Sequence, residues 1–165
     1  MNDRLPGVVC DAGPLIHLDE LGCLSLLNDF KEVLIPDQVW AEVLKHRPDE
    51  FSASDAAFAR VAIEFSSKPT YSALVKTLSL DLGEQAALSL MEAHPDNIFL
   101  TDDGAARLAA DALGYKVHGT IGLVVRAIRR NQRSRDEVVE ILRAVPARST
   151  LHVRPSILQS VLEKL

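Results

Sequence analysis

At 165 residues and 47% apolar, the chain is long enough and apolar enough to bury one full core. Its formal charge of −5 argues against a protein that grips polyanions by overall charge, but suits one whose acids hold cations. No apolar run reaches the roughly 18–20 residues of a membrane span, and no basic flank leads into a signal-like apolar stretch, so a cytoplasmic chain is expected. Nothing repeats at a fixed period. The two cysteines, Cys10 and Cys23, form no C-x-x-C, and the five histidines include no i,i+4 pair, which counts against zinc.

In chain order, Val8-Val9-Cys10 ends on Asp11 and predicts a buried strand over residues 8–11. Leu15, Ile16, Leu18 and Leu21 form a helical stripe over residues 14–21, with Pro14 suited to the first turn and Gly22 as a stop. Residues 23–27 read as a further short helical piece. Val33-Leu34-Ile35 predicts a second strand, ended by Pro36, and Asp37 is placed to cap a helix over residues 38–45. In the less patterned stretch 48–79, alanine content predicts a helix over 52–60. A strand over 61–65, a loop over 66–70 and a helix over 71–78 follow.

From Asp81 the pattern sharpens. Leu82, Ala86, Leu90 and Ala93 share one side of a helix over 82–93. N-I-F-L-T (97–101) is a buried strand that delivers Asp102 and Asp103 to its carboxyl end. A helix over 104–113 stops at Gly114, a strand covers 116–118, and Gly119-Thr120 opens a helix over 121–132. That helix carries an apolar stripe (Ile121, Val124, Val125, Ile128) and an arginine stripe (Arg126, Arg129, Arg130, Arg133) about 140° away. A helix over 136–145, an edge strand over 151–153 and a helix over 155–165 complete the reading. Short apolar strands alternating with helices predict an α/β fold with a mainly parallel sheet covered on both faces.

Four positions then stand out. Asp11 ends the first strand, Glu42 lies on the helix after the second, Glu84 is in the first turn of the helix over 82–93, and Asp102/Asp103 end the N-I-F-L-T strand. Parallel strands share polarity, so their ends lie on one edge, where the following helices begin. Asp11, Asp102/Asp103 and Glu84 are therefore candidates to meet in one cleft. Clustered carboxylates repel unless cations sit between them. Mg²⁺ and Mn²⁺ favour such oxygen ligands and support phosphodiester hydrolysis.

Each acid also has a plain structural role. Asp81-x-x-Glu84 fits a capping box, Asp11 and Asp102 or Asp103 fit N-caps, and Glu42 fits a solvated helix face. The arginine stripe reads as a solvated face or as a strip that tracks phosphates. Gly119-Thr120 reads as a turn and cap or as a phosphate-binding helix start. His17 reads as packing or solvent-facing. No G-x-G-x-x-G or Walker loop is present, which argues against a nucleotide cofactor.

Taken together, V-V-C-D-A-G-P-L-I, V-L-I-P-D-Q-V-W-A-E-V, L-D-L-G-E-Q-A-A-L-S-L, F-L-T-D-D-G-A-A-R and V-H-G-T-I-G resemble PIN-domain proteins, most of all the prokaryotic subgroup with D-D and G-T-x-G segments. The likeness runs in order from Val8 to about Arg130. It implies a three-layer α/β/α fold with a mainly parallel sheet of about five strands. A single domain would span residues 1–165, with the helices from about 134 as an appendage. It implies an Mg²⁺- or Mn²⁺-dependent endoribonuclease that leaves a 3′-hydroxyl and a 5′-phosphate. Asp11, Glu42, Glu84 and Asp103 would be its catalytic acids, and Asp11, Glu84, Asp102 and Asp103 its metal ligands. Thr101, Arg107, Gly119 and Thr120 would lie near the site. RNA is the implied substrate, with Arg126, Arg129, Arg130 and Arg133 as candidate contacts. A homodimer is implied, as is a toxin role with an antitoxin partner that offers Arg or Lys to the acids. The alternative is a catalytically silent PIN-like binding or regulatory module, in which the acids serve structure.

Overall fold

The computed structural model describes residues 5–47 and 58–165. Among these, five strands form one sheet: β1 (Val8–Cys10), β2 (Val33–Pro36), β3 (Phe58–Val61), β4 (Ile98–Leu100) and β5 (Lys116–His118). Their spatial order is β3-β2-β1-β4-β5, and every pairing is parallel. The three central strands are buried at every position, which explains why they read as continuous apolar runs rather than alternating ones.

The helices are α1 (Ala12–Glu20), α2 (Asp37–His46), α3 (Pro69–Leu78), α4 (Leu82–Ala93), α5 (Gly104–Ala112), α6 (Thr120–Arg129), α7 (Arg135–Arg148) and α8 (Pro155–Glu163), with a 3-10 turn at Leu24–Asp29. On one side, α4 packs over β1, β2 and β4, and α5 packs beside it on β5 and α3. Elsewhere α1 meets the 3-10 turn and α6, which in turn meets α7. Right-handed crossovers put these two groups on opposite faces of the sheet. The helix α2 touches both α1 and α4, so it sits at the rim between the layers. One continuous core runs from Val8, Leu18 and Phe99 to Val138 and Leu142 on α7.

The strand order fixes where a site can form. The chain builds outward from β1 to β2 and β3, then returns to the other side of β1 for β4 and β5. The reversal lies between β1 and β4, and in open α/β sheets the crevice at such a point, at the carboxyl ends of the strands, takes ligands. Cys10 pairs in register with Leu100. The residues that follow them, Asp11 and Thr101, therefore leave the sheet side by side.

Three expectations are corrected. Of the helix expected over 52–60, residues 52–57 lie outside the described residues, and 58–60 belong to β3. The strand expected over 61–65 is displaced, since β3 ends at Val61. Pairing of Phe58–Val61 with Val33–Pro36 overrides local propensity. As an edge strand with an exposed middle, β3 also lacks the apolar run that marks the central strands. Residues 151–153 form no strand. Leu151 and Val153 are half-buried against the core with His152 exposed between them, so the alternation is real but no ladder accompanies it. Instead, the Glu20 carboxylate accepts from the Ser149 hydroxyl (2.9 Å) and the Thr150 N–H (2.7 Å), and the Leu151 N–H bonds the Ser149 hydroxyl (3.1 Å). These local bonds replace strand pairing.

Phe99 is fully buried in the middle of β4, whereas Leu82 is 65% exposed. Urea denaturation is expected to show a loss of about 3–5 kcal/mol for Phe99→Ala and a change within about 0.5 kcal/mol for Leu82→Ala.

Candidate active site

The site begins where β1 ends. Asp11 has extended backbone geometry and caps α1, its Oδ1 accepting the Ala12 N–H at 2.9 Å. Its Oδ2 accepts the Thr101 hydroxyl at 2.9 Å. Thr101 is completely buried at the end of β4, and its oxygen also accepts the Asp103 N–H at 3.1 Å. Asp103 in turn caps α5, with Oδ1 accepting the Ala106 N–H at 2.8 Å. One hydroxyl thus ties an acid after β1 to an acid after β4.

The third acid comes from α4. Asp81 and Glu84 form a reciprocal capping box: Asp81 Oδ1 accepts the Glu84 N–H (2.8 Å) and Glu84 Oε2 accepts the Asp81 N–H (2.9 Å). Glu42 reaches this group from α2. Between them lies Gly83, where an added Cβ would stand 3.0 Å from Glu42 Oε2 and 3.4 Å from Asp81 Oδ1. A glycine there lets the α2 and α4 carboxylates approach.

Asp102 is engaged differently from its neighbour. Its Oδ1 accepts the Thr120 N–H at 2.7 Å, and its Oδ2 accepts the Thr120 hydroxyl at 2.5 Å. The same Oδ2 meets His17 Nδ1 at 2.7 Å. Asp102 therefore binds the end of β4 to the start of α6 and to the middle of α1. Gly119 makes this possible, because a Cβ there would lie 2.9 Å from Asp102 Oδ1 and 3.0 Å from an Arg107 nitrogen. Arg107 bonds the Thr101 carbonyl at 3.4 Å.

Asp11, Glu42, Asp81, Glu84, Asp102 and Asp103 line one open cavity of about 310 Å³, with His17 and the α7–α8 connection (Thr150, Leu151, His152) completing its wall. Burial pushes the Asp11 carboxyl up to about 6, against the Thr101 and Ala12 hydrogen bonds and with help from Asp81 and Glu42. Burial pushes Glu84 up to about 7, joined by repulsion from Asp81, Asp103 and Asp11. Burial and Asp81 raise Glu42 as well. The acids line the cavity rather than forming a closed cage: among the described residues, no three His, Cys, Asp or Glu side chains are set as a ready-made metal site. Capping does not exhaust them, since a carboxylate offers about four acceptor positions and each cap uses one.

The structure thus brings Asp11, Glu42, Glu84, Asp102 and Asp103 to one cavity and sets Thr101, Arg107, Gly119 and Thr120 behind it. The arginine stripe lies apart from it and divides. Arg130 grips Asp29 with two bonds (2.7 and 2.9 Å), and Arg133 bonds Ser25 and the Gln132 carbonyl, while Arg126 and Arg129 border a separate hollow. Sequence reasoning missed the cavity positions of Asp81, His17 and Thr150–His152. Asp81 was visible only as a cap. His17 carries no such local signal, since an added Cβ on Gly13 would lie 3.4 Å from the imidazole and 3.8 Å from Asp102, ordinary contact that requires no glycine.

A family profile described as a PIN domain matches residues 7–165. No curated protein matches the chain. The all-parallel five-stranded sheet between helical layers agrees with the three-layer fold of that family.

The raised acids set a pH dependence. The folded chain holds a proton on Glu84 up to about pH 7, where an unfolded glutamate has released it by about pH 4.3. Ionised Glu84 therefore costs stability fully above pH 7, and the cost fades as pH falls toward 4. In metal-free buffer, Glu84→Gln keeps the capping acceptor and is expected to melt above the wild type at pH 8. The difference should shrink through pH 7 and vanish near pH 4; thermal melts across pH check this.

Proposed function

The chain belongs to the PIN-domain family, and from that premise we propose that it is a divalent-metal-dependent endoribonuclease acting on single-stranded RNA. PIN domains are generally nucleases and typically use divalent metals, so the class rests on membership. The observation that carries the finer reading is the convergence of Asp11, Glu42, Glu84 and Asp103 on one cavity at the point where the strand order reverses.

The residues fit a hard divalent cation, Mg²⁺ or Mn²⁺. All are carboxylates, and burial together with repulsion already opposes the ionisation of Asp11, Glu84 and Glu42, which a cation would relieve. Asp11, Glu84 and Asp103 would hold it, with Glu42 and Asp102 beside them. When bound, such an ion supplies an activated water and stabilises charge at phosphorus. The chain's own residues supply position. Thr101 fixes the Asp11 side chain and the Asp103 backbone, and the Ala106 N–H fixes the Asp103 side chain. The N-termini of α1, α4 and α5 open at their caps Asp11, Asp81 and Asp103, which adds positive dipole ends at a site meant for phosphate. In the net reaction a water oxygen joins phosphorus, the P–O3′ bond breaks, and O3′ takes the proton. This leaves a 3′-hydroxyl and a 5′-phosphate.

A toxin role extends the same proposal: an antitoxin segment would set Arg or Lys against the cavity acids. The second reading, a silent PIN-like module, draws on the fact that Asp11, Glu84 and Asp103 all serve as helix caps.

Cleavage of single-stranded RNA with Mn²⁺ separates the two. Asp11→Asn and Asp103→Asn are expected to lose at least about 100-fold in rate. Thr101→Val, which keeps the shape and removes the shared hydroxyl, should lose about 10–100-fold. Cleavage equal in wild type and both acid variants would remove the acids from the chemistry, and no cleavage by the wild type would leave the silent module standing.

A further inference from the structure

An acidic cavity cannot draw a polyanion by its own charge, and the chain as a whole is acidic. Attraction for RNA has to come from elsewhere on the surface. Between α6 and α8 lies a second cavity of about 370 Å³. Its floor is apolar (Ile121, Val125, Val161) and its rim is cationic (Arg126, Arg129, Lys164), with His118 at the end nearest the sheet. Among the described residues no carboxylate pairs with these three cations, whereas Arg130 on the same helix is committed to Asp29. The groove therefore concentrates uncompensated positive charge beside apolar surface on a negatively charged protein.

Its position ties it to the acids. His118 is the last residue of β5, and its carbonyl accepts the Thr101 N–H at 3.0 Å. Two residues on, the Thr120 N–H and hydroxyl hold Asp102 in the wall of the acidic cavity. The groove thus begins where that wall ends. Burial, then Arg126, Arg107 and Arg129, lower the proton affinity of His118, so it offers the groove a neutral hydrogen-bonding ring.

From this arrangement we infer that the α6–α8 groove is the anchoring site for single-stranded RNA, with Arg126, Arg129 and Lys164 on its phosphates and Ile121, Val125 and Val161 under a base. The inference rests on the ribonuclease reading for its choice of ligand. Exposed phosphates suit the arginines. An unpaired base has a free face for the apolar floor, which a base inside a duplex lacks. The occupant is thereby single-stranded rather than double-stranded.

The test is fluorescence anisotropy with a labelled short single-stranded RNA and its duplex, in Ca²⁺ without Mn²⁺, over a range of salt. The proteins compared are wild type, the Arg126→Ala/Arg129→Ala double variant, and Lys76→Ala, which removes an exposed cation on α3 away from the groove. The double variant should bind the single strand about tenfold more weakly, with a log Kd against log salt slope shallower by about 1–2. Lys76→Ala should bind as wild type does, and wild type should bind the duplex more weakly than the strand. Unchanged affinity in the double variant, no strand binding by wild type, or equal preference for duplex overturns the inference. So does a wild-type dimer that dissociates in the double variant without RNA, which would make the groove an interface between copies. Because the readout is binding, groove-dependent binding without any Mn²⁺-dependent cleavage would retire the nuclease reading and keep the groove.

Discussion

The buried hydroxyl of Thr101 holds the site together. It donates its one proton to Asp11 and accepts the Asp103 N–H, so two acids from different strands are fixed relative to each other by a single oxygen. The bridge depends on register. Cys10 lies beside Leu100, and a slip of one residue would turn Thr101 to the other face of the sheet. It also depends on depth, because a buried carboxyl with fewer partners would rise further out of the ionised range. With the Thr101 and Ala12 bonds in place, Asp11 still stands near 6, so desolvation and repulsion outweigh hydrogen bonding there. The α1 dipole, which favours charge at Asp11, acts in the same direction as those bonds.

Much of this frame is legible in the amino-acid sequence, for physical reasons that also mark its limits. The strands β1, β2 and β4 are buried on both faces, so their apolar runs stand out. Helix starts carry Asp11, Asp81, Asp103 and Ser134, and each of these side chains accepts a first-turn N–H as its chemistry predicts. The edge strand β3 escaped because its pairing is made in space with β2 and its side chains are largely solvated. Residues 151–153 imitate a strand because one side rests on the core. Spacing alone also left open whether each acid is a cap or a member of a shared site. The fold shows caps that line one cavity, since capping consumes only part of a carboxylate. His17 carries no local signal of its contact with Asp102, which is 85 positions away in the chain.

The adjacent acids of the D-D pair divide their work. Asp102 spends both oxygens on α6 and α1 and so braces the cavity wall. Asp103 spends one oxygen on a cap and stays exposed. The α7–α8 connection adds a third constraint. Glu20, held ionised by Thr150 and Ser149 despite partial burial, fastens that connection over the end of α1, where Thr150 and His152 reach the acids. The cavity is thus walled by residues from both ends of the chain, with acids inside it and the cations Arg126, Arg129 and Lys164 in the neighbouring groove.

That Asp11, Glu84 and Asp103 form one cation site is tested most directly by calorimetric titration with Mn²⁺ between pH 6 and 7, in two buffers of different ionisation heat. Binding beside Asp11 and Glu84 must displace the protons that burial and repulsion keep on those two carboxyls. The account predicts binding to the wild type with net proton release, and both weaker binding and less proton release for Asp11→Asn. Absence of binding, or binding with the same affinity and proton count in Asp11→Asn, would contradict it.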